Sequence, residues 1–274
     1  MNSMRKKNFP ARFGGCLIMV MLMGVMSGLA DVRGIIKKKE GGSLSGMIRW
    51  QPASKVYVIT DEKTGVTMQI PLSQVESIKV QKPAEIDNAA KMIQQGQYAA
   101  AIPVLEKIME AYTALEWDIS AARWLVEGYL KVDKPPKAIE MYEKVKDAYP
   151  GSELSRKLTV GYWDALFKTG DFVKLRSTLT KAIEEGPRDL AALAQIKRGD
   201  MDKKDGNLRA ALVDGYLRTI VLFEQVKEVQ PEALFKAAKC FDDLGEHSHA
   251  EKMRKKLLAE FPQDQYTEKL KSGT

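Results

Sequence analysis

The residues best suited to metal chemistry stand together near the C-terminus. His247 and His249 are the two histidines of the chain, and Glu246 and Glu251 lie beside them. Imidazole and carboxylate groups at this spacing could bind a transition-metal ion weakly. A solvated polar turn explains the same residues, and it is the interpretation we favour. We therefore expect no metal and no cofactor.

The paired carboxylates are poorly placed for acid–base catalysis. Asp242-Asp243 and Glu184-Glu185 are sequence neighbours, and side chains at positions i and i+1 of a helix point apart. The run 200–205 (DMDKKD) is similar to a calcium loop but lacks the glycine at the required spacing and the distal glutamate. We assign this run to the loop between two helices.

Catalytic motifs are missing from the sequence. There is no phosphate-binding Gly-Lys-Ser/Thr loop, no Gly-x-Ser-x-Gly and no His-Glu-x-x-His. We predict no catalytic residues and a protein that is not an enzyme. The elements of the chain are instead expected to build a binding surface.

Composition narrows the class of protein further. The chain has 274 residues, of which 45% are hydrophobic and 29% charged, as in ordinary globular proteins. Its two cysteines exclude a disulfide-stapled scaffold and a multi-cysteine zinc module. The formal net charge is +7, but residues 1–30 contribute four basic side chains and no acidic one. The remaining charge is nearly balanced, so we expect no nucleic-acid partner.

The first thirty residues are predicted to form a targeting segment. A basic stretch precedes the apolar run 14–30 (GGCLIMVMLMGVMSGLA), which ends in the small residues Gly28 and Ala30. This order is typical of a secretory signal peptide over residues 1–30, cleaved before Asp31. The alternative is an uncleaved anchor, because the apolar run is at the lower edge of the roughly 17–25 residues that span a bilayer. We predict an exported protein, periplasmic or secreted. It contacts the membrane only if the N-terminal segment is not cleaved.

Residues 31–82 are predicted to form a small β module. Apolar residues alternate with polar ones, and turn residues separate the runs, which indicates short half-buried strands. The expected strands surround Ile35–Ile36, Leu44–Trp50, Lys55–Thr60, Val66–Ile70 and Glu76–Val80. Pro71 lacks an N–H and is expected to leave the ladder and begin one helical turn. Pro83 ends the last strand, and we place the domain boundary there.

This strand order resembles that of an SH3-like or Sm-like small barrel. The Sm-like version would imply RNA binding, but the segment has no aromatic pair flanked by arginines, and the chain is predicted to be exported. Trp50 could be an exposed ligand platform, although closure of the barrel core is the interpretation we favour. The basic run Lys37–Lys39 is interpreted as a solvated turn.

From residue 83 to 274 the apolar period becomes helical, and a helical unit recurs. One core position returns every 36 to 39 residues, at Ala101, Ala138, Leu175, Ala211 and Ala250. Glycine stands five residues earlier in four of the five copies, at Gly96, Gly170, Gly206 and Gly245. Prolines close three copies, at Pro150, Pro187 and Pro262. The pattern predicts about five helical hairpins whose stacking buries a continuous core.

The second copy carries the clearest family resemblance. Leu125, Tyr129, Ala138, Tyr142 and Pro150 follow the pattern of the tetratricopeptide (TPR) family, which the chain resembles. The endings Tyr149-Pro150 and Phe261-Pro262 are similar in style to TPR proteins of the bacterial cell envelope, including outer-membrane assembly lipoproteins and periplasmic coordinators. The expected fold is therefore multidomain, a small all-β barrel-like module followed by an all-α TPR-like solenoid.

The resemblance also implies a binding face. In TPR arrays the first helix of each hairpin lines a concave groove, and the register predicts eight groove residues here. They are Arg123, Glu127, Leu130 and Lys131 from the second repeat and Val160, Asp164, Phe167 and Lys168 from the third. Mixed charge with exposed apolar anchors suits a peptide or a helix laid in a groove. An ordinary solvated face is the alternative.

Two functional hypotheses follow. The favoured one is a periplasmic or secreted non-enzymatic scaffold that binds a protein of the cell envelope through the concave face of its repeats. The alternative is an adaptor whose β module binds a polymer such as peptidoglycan or RNA, while the repeats serve oligomerisation.

Overall fold

A computed structural model describes residues 31–273 of the chain. In this part the chain forms a small antiparallel sheet followed by a mostly helical array. The predicted signal peptide, residues 1–30, lies outside the described residues.

The five predicted strands form one antiparallel sheet. They are β1 (Val32–Lys38), β2 (Ser43–Gln51), β3 (Val56–Thr60), β4 (Thr67–Pro71) and β5 (Val75–Val80), with a 3-10 turn over Leu72–Gln74. The strand order is β4-β3-β2-β1-β5, so β1 pairs with the strand that follows it and with the last strand. Alternation of apolar residues gives β2 one buried face, as the sequence period requires, whereas β3 is buried on both faces, at Tyr57, Val58 and Ile59.

Pro71 corrects one expectation. It still belongs to β4 and lies opposite Val56 in the register of the sheet, so the prediction that it leaves the ladder is wrong. The 3-10 turn begins one residue later, at Leu72. Because β4 is an edge strand, a residue without an N–H is tolerated at its end.

The core of the sheet includes residues from the helical part. Trp50 and Tyr57 are buried, with ring centroids 4.5 Å apart, so Trp50 fills the core and is not an exposed platform. Ala114 and Leu115, which precede a helix of the array, pack in the same cluster. The sheet and the helices therefore share one apolar core.

The helices pair as antiparallel neighbours in chain order. They are α1 (Ile86–Gln94), α2 (Tyr98–Ala111), α3 (Trp117–Lys131), α4 (Pro135–Ala148), α5 (Arg156–Thr169), α6 (Phe172–Glu185), α7 (Arg188–Lys204), α8 (Leu208–Ala210), α9 (Arg218–Leu222), α10 (Gln230–Asp243), α11 (His247–Glu260) and α12 (Gln265–Ser272). A π-helical segment, Ala211–Leu217, joins α8 to α9, and a 3-10 turn, Lys227–Val229, precedes α10.

The recurring core position is buried in every copy. Ala101, Ala138, Leu175, Ala211 and Ala250 are all fully inaccessible to solvent. The four predicted turn glycines adopt positive φ angles of 76° to 80°, a conformation that favours glycine. In the copy without a glycine, Asp133 takes this conformation with φ 53°. The turn geometry is thus kept where the glycine is lost.

Helix α7 is longer than expected. It continues to Lys204, so the assignment of residues 200–205 to a loop is wrong. Met201 is fully buried, and Asp200 accepts hydrogen bonds from the Tyr216 hydroxyl at 3.0 Å and from the Lys236 ammonium at 2.7 Å. These contacts with later helices hold the acidic run in helical form.

Hydrogen bonds also tie the sheet to the array at the loop before α3. The Tyr57 hydroxyl donates to the Ala114 carbonyl at 3.0 Å. The buried Asp118 carboxylate accepts from the Ala114 N–H at 2.7 Å and from the Tyr149 hydroxyl at 2.6 Å. That hydroxyl in turn accepts from the Glu116 N–H at 2.7 Å. We call Tyr57, Ala114, Glu116, Asp118 and Tyr149 the junction network.

Candidate functional site

The eight predicted groove residues lie around one groove. Its volume is about 780 Å³, and α3 and α5 form its main walls. The other lining residues are Val126, Arg156, Lys157, Gly161, Leu193, Glu228 and Val229. We call this feature the α3–α5 groove. That it binds a partner stays a prediction.

Helical spacing and one glycine shape the groove. Arg123, Glu127 and Lys131 are four residues apart on α3, so they share one face of that helix. Gly161 lets α5 approach closely, because a Cβ atom there would lie 2.5 Å from Cγ1 of Val126. The small residue therefore sets the distance between the two walls.

Apolar side chains line the groove beside these charges. Leu130, Val160 and Phe167 are partly exposed. The Phe167 ring meets the Phe172 ring edge-on, with centroids 5.9 Å apart, and Lys204 lies over it at 4.7 Å. Phe167 is thus fixed against neighbouring helices while part of it stays available to a ligand.

Three charged side chains of the groove are held in ion pairs. Lys168 on α5 reaches Asp133 at 3.2 Å and the Leu130 carbonyl at 3.4 Å. Arg156 pairs with Asp189 at 3.2 Å, and Asp164 pairs with Lys197 of α7 at 2.5 Å. These pairs link successive repeats and make the three charges less available to a partner.

Five other charged side chains of the groove have no ion-pair or hydrogen-bond partner among residues 31–273: Arg123, Glu127, Lys131, Lys157 and Glu228. The Arg123 guanidinium lies over the Trp124 ring at 4.1 Å. Its Nε atom is buried without an acceptor. A buried donor that has lost its water is costly, so the unpaired Nε atom destabilises the chain as it stands.

Beyond the groove, charges of the first helices form a connected ladder. Lys197 lies between Asp164 and Asp200, and Lys236 pairs with Asp200 at 2.7 Å and with Glu232 at 2.6 Å. Burial opposes the charge on Lys236, but the two carboxylates raise its pKa overall. The ladder links α5, α7 and α10, and each of its charges has a partner of opposite sign within the chain.

Sequence reasoning missed this ladder, although a signal was present. Asp164 and Asp200 are one repeat length apart, and so are Lys197 and Lys236. Charges that recur with the repeat period meet along the array. The same comparison across copies would have identified them.

The other residues considered for metal binding or reactivity do not form a site. His247 lies 3.2 Å from Asp242, and His249 stacks on Phe241 with centroids 5.2 Å apart. Across residues 31–273, no group of three or more His, Cys, Asp or Glu is placed to hold a metal ion. Cys240 is buried, and burial raises the pKa of its thiol, so it fills the core.

The same described part of the chain contains no helix with the length and apolar character needed to cross a membrane. This finding concerns residues 31–273 and not the apolar N-terminal run.

Comparisons with known proteins give structural likenesses. No family model matches the chain, and no curated protein sequence matches it. A crystal structure of MamA is 21% identical over 62% of this chain and 92% of that chain, with a TM-score of 0.47. YrrB, described as a TPR protein with an unusual peptide-binding site, is 19% identical over 68% of this chain and 90% of that chain, with a TM-score of 0.43. Since both scores are below 0.5, the function proposed below rests on this chain's own residues.

Proposed function

We propose that the protein is a non-enzymatic, TPR-like scaffold that binds a protein partner of the cell envelope through the α3–α5 groove. The observation that carries the proposal is the groove itself. It combines partly exposed apolar side chains with unpaired charges, including the buried Arg123 Nε. Such a surface suits a protein segment with an apolar face and a charged edge.

The proposal includes export to the periplasm or the medium. It is supported by the basic stretch and the apolar run of residues 1–30. Intact-mass analysis of the protein from its host is expected to give a chain that begins at Asp31. A mass that retains residues 1–30 would instead favour a membrane-tethered adaptor.

We further propose an SH3-like topology for the β module, residues 31–82, ahead of TPR-like repeats over residues 83–274. The pairing of β1 with both β2 and β5 supports it. The alternative of a polymer-binding β module has less support, because Trp50 and Tyr57 are buried. Lys37 is also engaged, in an ion pair with Glu76 at 2.7 Å.

Quantitative affinity purification from the envelope fraction tests the proposal. The full chain is compared with a groove variant, Glu127→Lys/Lys131→Glu. The matched control is Lys107→Glu/Glu184→Lys, because these two exposed side chains lie outside the groove. We expect one protein to be enriched with the wild type and the control and to be at least about tenfold reduced with the groove variant. Equal recovery with all three would contradict the proposal.

A further inference from the structure

The unpaired charges on α3 form an ordered pattern. Arg123, Glu127 and Lys131 are basic, acidic and basic at four-residue spacing. Successive members are therefore about 6 Å apart along the helix axis. They line the α3–α5 groove, and no ion pair joins them to each other or to another residue between 31 and 273.

Elsewhere in the array, comparable charges form ion pairs. Lys197, Asp200 and Lys236 also lie on successive first helices, and each is paired with a neighbouring helix. Pairing satisfies charges where two of the chain's own helices meet. The α3 pattern faces the groove instead, where the three side chains have no partner among residues 31–273 and an external partner can supply the opposite charges.

We propose that the α3–α5 groove binds an amphipathic helix whose charged edge reads acidic, basic, acidic at four-residue spacing. Its apolar side would lie on Leu130, Val160 and Phe167, and its first or last acidic group would accept from the Arg123 guanidinium. This inference rests on the proposed function and adds the chemistry of the partner. Because the pattern is the same in both directions, either orientation of the helix satisfies it.

The dimensions of the groove agree with such an occupant. Lining residues on α5 run from Arg156 to Lys168, a length of about 18 Å at 1.5 Å per residue. A helix of about twelve residues has this length.

The chain's own N-terminal segment is a poor fit for the groove. Residues 1–30 carry Arg5, Lys6, Lys7 and Arg12 and no acidic side chain, so they offer no carboxylate to Arg123 or Lys131. A second copy of the chain is a distinct occupant, which the experiment below separates from a partner helix.

Two synthetic helical peptides of identical composition provide the test. One carries Glu-Lys-Glu at four-residue spacing along its polar edge, and the other carries Glu-Glu-Lys, with the same leucine face. Their net charges are equal, so general attraction to a basic surface affects both alike. Affinity for the full chain is measured by fluorescence anisotropy. We expect the Glu-Lys-Glu peptide to bind at least about tenfold more tightly.

Variants test whether the order of charges on α3 determines which peptide binds more tightly. In Glu127→Lys/Lys131→Glu the preference is expected to reverse toward the Glu-Glu-Lys peptide, while Lys107→Glu/Glu184→Lys keeps the wild-type preference. Far-UV circular dichroism verifies that each variant is folded. Light scattering on the same samples reports any self-association through the groove.

Equal affinity for the two peptides, or no binding of either, would overturn the inference, as would self-association that the groove variant abolishes. The proposed function would survive these results if the affinity purification still depends on Glu127 and Lys131. Conversely, an affinity purification unaffected by the groove variant would overturn the proposed function itself.

Discussion

At the scale of single residues, Arg123 connects the fold to the proposed function. Its guanidinium is fixed over Trp124 at 4.1 Å, yet its Nε atom is buried without an acceptor. A structural arginine would normally be fully hydrogen-bonded. The local arrangement therefore leaves this donor unsatisfied, at a cost to the stability of the chain, on a side chain that lines the groove.

Glycines at helix crossings give a residue-scale prediction. A Cβ atom on Gly215 would overlap the backbone Cα of Gly199, whereas one on Gly128 would meet only side-chain atoms, Cδ1 of Ile93 at 2.9 Å and Cγ1 of Ile102 at 3.3 Å. Overpacking against backbone is expected to destabilise Gly215→Ala by about 1–3 kcal/mol. Over most of this range the cost exceeds the roughly 1 kcal/mol that alanine gains over glycine inside a helix.

Urea unfolding measures the difference. We expect Gly215→Ala to lower the free energy of unfolding clearly and Gly128→Ala to change it much less, because a side-chain end can move. Equal effects at the two positions would show that the crossing at Gly199 is less tight than described.

At the scale of elements, the loop before α3 combines backbone strain with a buried charge. Ala114 and Glu116 have positive φ angles of 57° and 73°, a region that non-glycine residues rarely adopt. Their N–H groups are held by Asp118 and Tyr149. The junction network thus stabilises the loop shape that carries Ala114 and Leu115 into the core of the sheet.

Asp118 makes the stability of this junction depend on pH. Burial raises the pKa of Asp118 from 3.8 to about 6, although hydrogen bonds from Tyr149, Ala114 and Ile119 act in the other direction. The folded chain then binds this proton more tightly than the unfolded chain. Its contribution to the free energy of unfolding therefore increases as the pH falls from about 7 through 6 toward 4. The full change is on the order of 3 kcal/mol.

The comparison of wild type with Asp118→Asn isolates this effect. The variant cannot titrate at position 118, so the difference in unfolding free energy between the two proteins is expected to vary with pH between 4 and 7. Tyr149→Phe removes a donor that lowers the Asp118 pKa, and it should move the wild-type dependence to higher pH. Parallel pH curves for wild type and Asp118→Asn would contradict this account.

The sequence predicted elements better than contacts. Alternation along Leu44–Trp50 and the recurrence of Ala138 are local signals, and the structure contains the corresponding strand and buried helix position. The length of α7 depends instead on Asp200 meeting Lys236 and Tyr216 from later helices. The polar composition of residues 200–205 is typical of a loop, and it could not reveal these non-local contacts.

For the α3–α5 groove, too, the sequence predicted which residues lie together but not which contacts they make. A periodic register was sufficient to gather the eight groove residues, because helical spacing fixes which residues share a face. It could not indicate which of their charges are paired. Lys168 is engaged by Asp133, whereas Lys131 has no partner among the described residues, and the difference arises from how α3 and α5 cross.

At the scale of the whole molecule, the shared core couples the β module to the array. Leu115 is fully buried in the cluster that also contains Ile48 and Tyr57 of the sheet. We expect Leu115→Ala to destabilise the protein by about 2–5 kcal/mol. Hydrogen exchange is expected to accelerate in β2 and β3 as well as in α3, because both sides lose the same contact.

A cavity-creating substitution in another cluster of the array provides the control for this prediction. Leu257 on α11 is equally buried but belongs to another cluster, so Leu257→Ala should leave exchange in β2 and β3 unchanged. Acceleration confined to the helices in Leu115→Ala would mean that the sheet and the array fold independently.

Site-specific photo-crosslinking in living cells tests the central claim most directly. A photoreactive amino acid replaces Lys131 or Lys157 in the α3–α5 groove, and Lys107 on α2 serves as the control position. Capture of the same discrete envelope protein from both groove positions, and not from position 107, is the predicted result. Equal and diffuse labelling from all three positions would contradict the claim, because it would show that the groove is an ordinary solvated face.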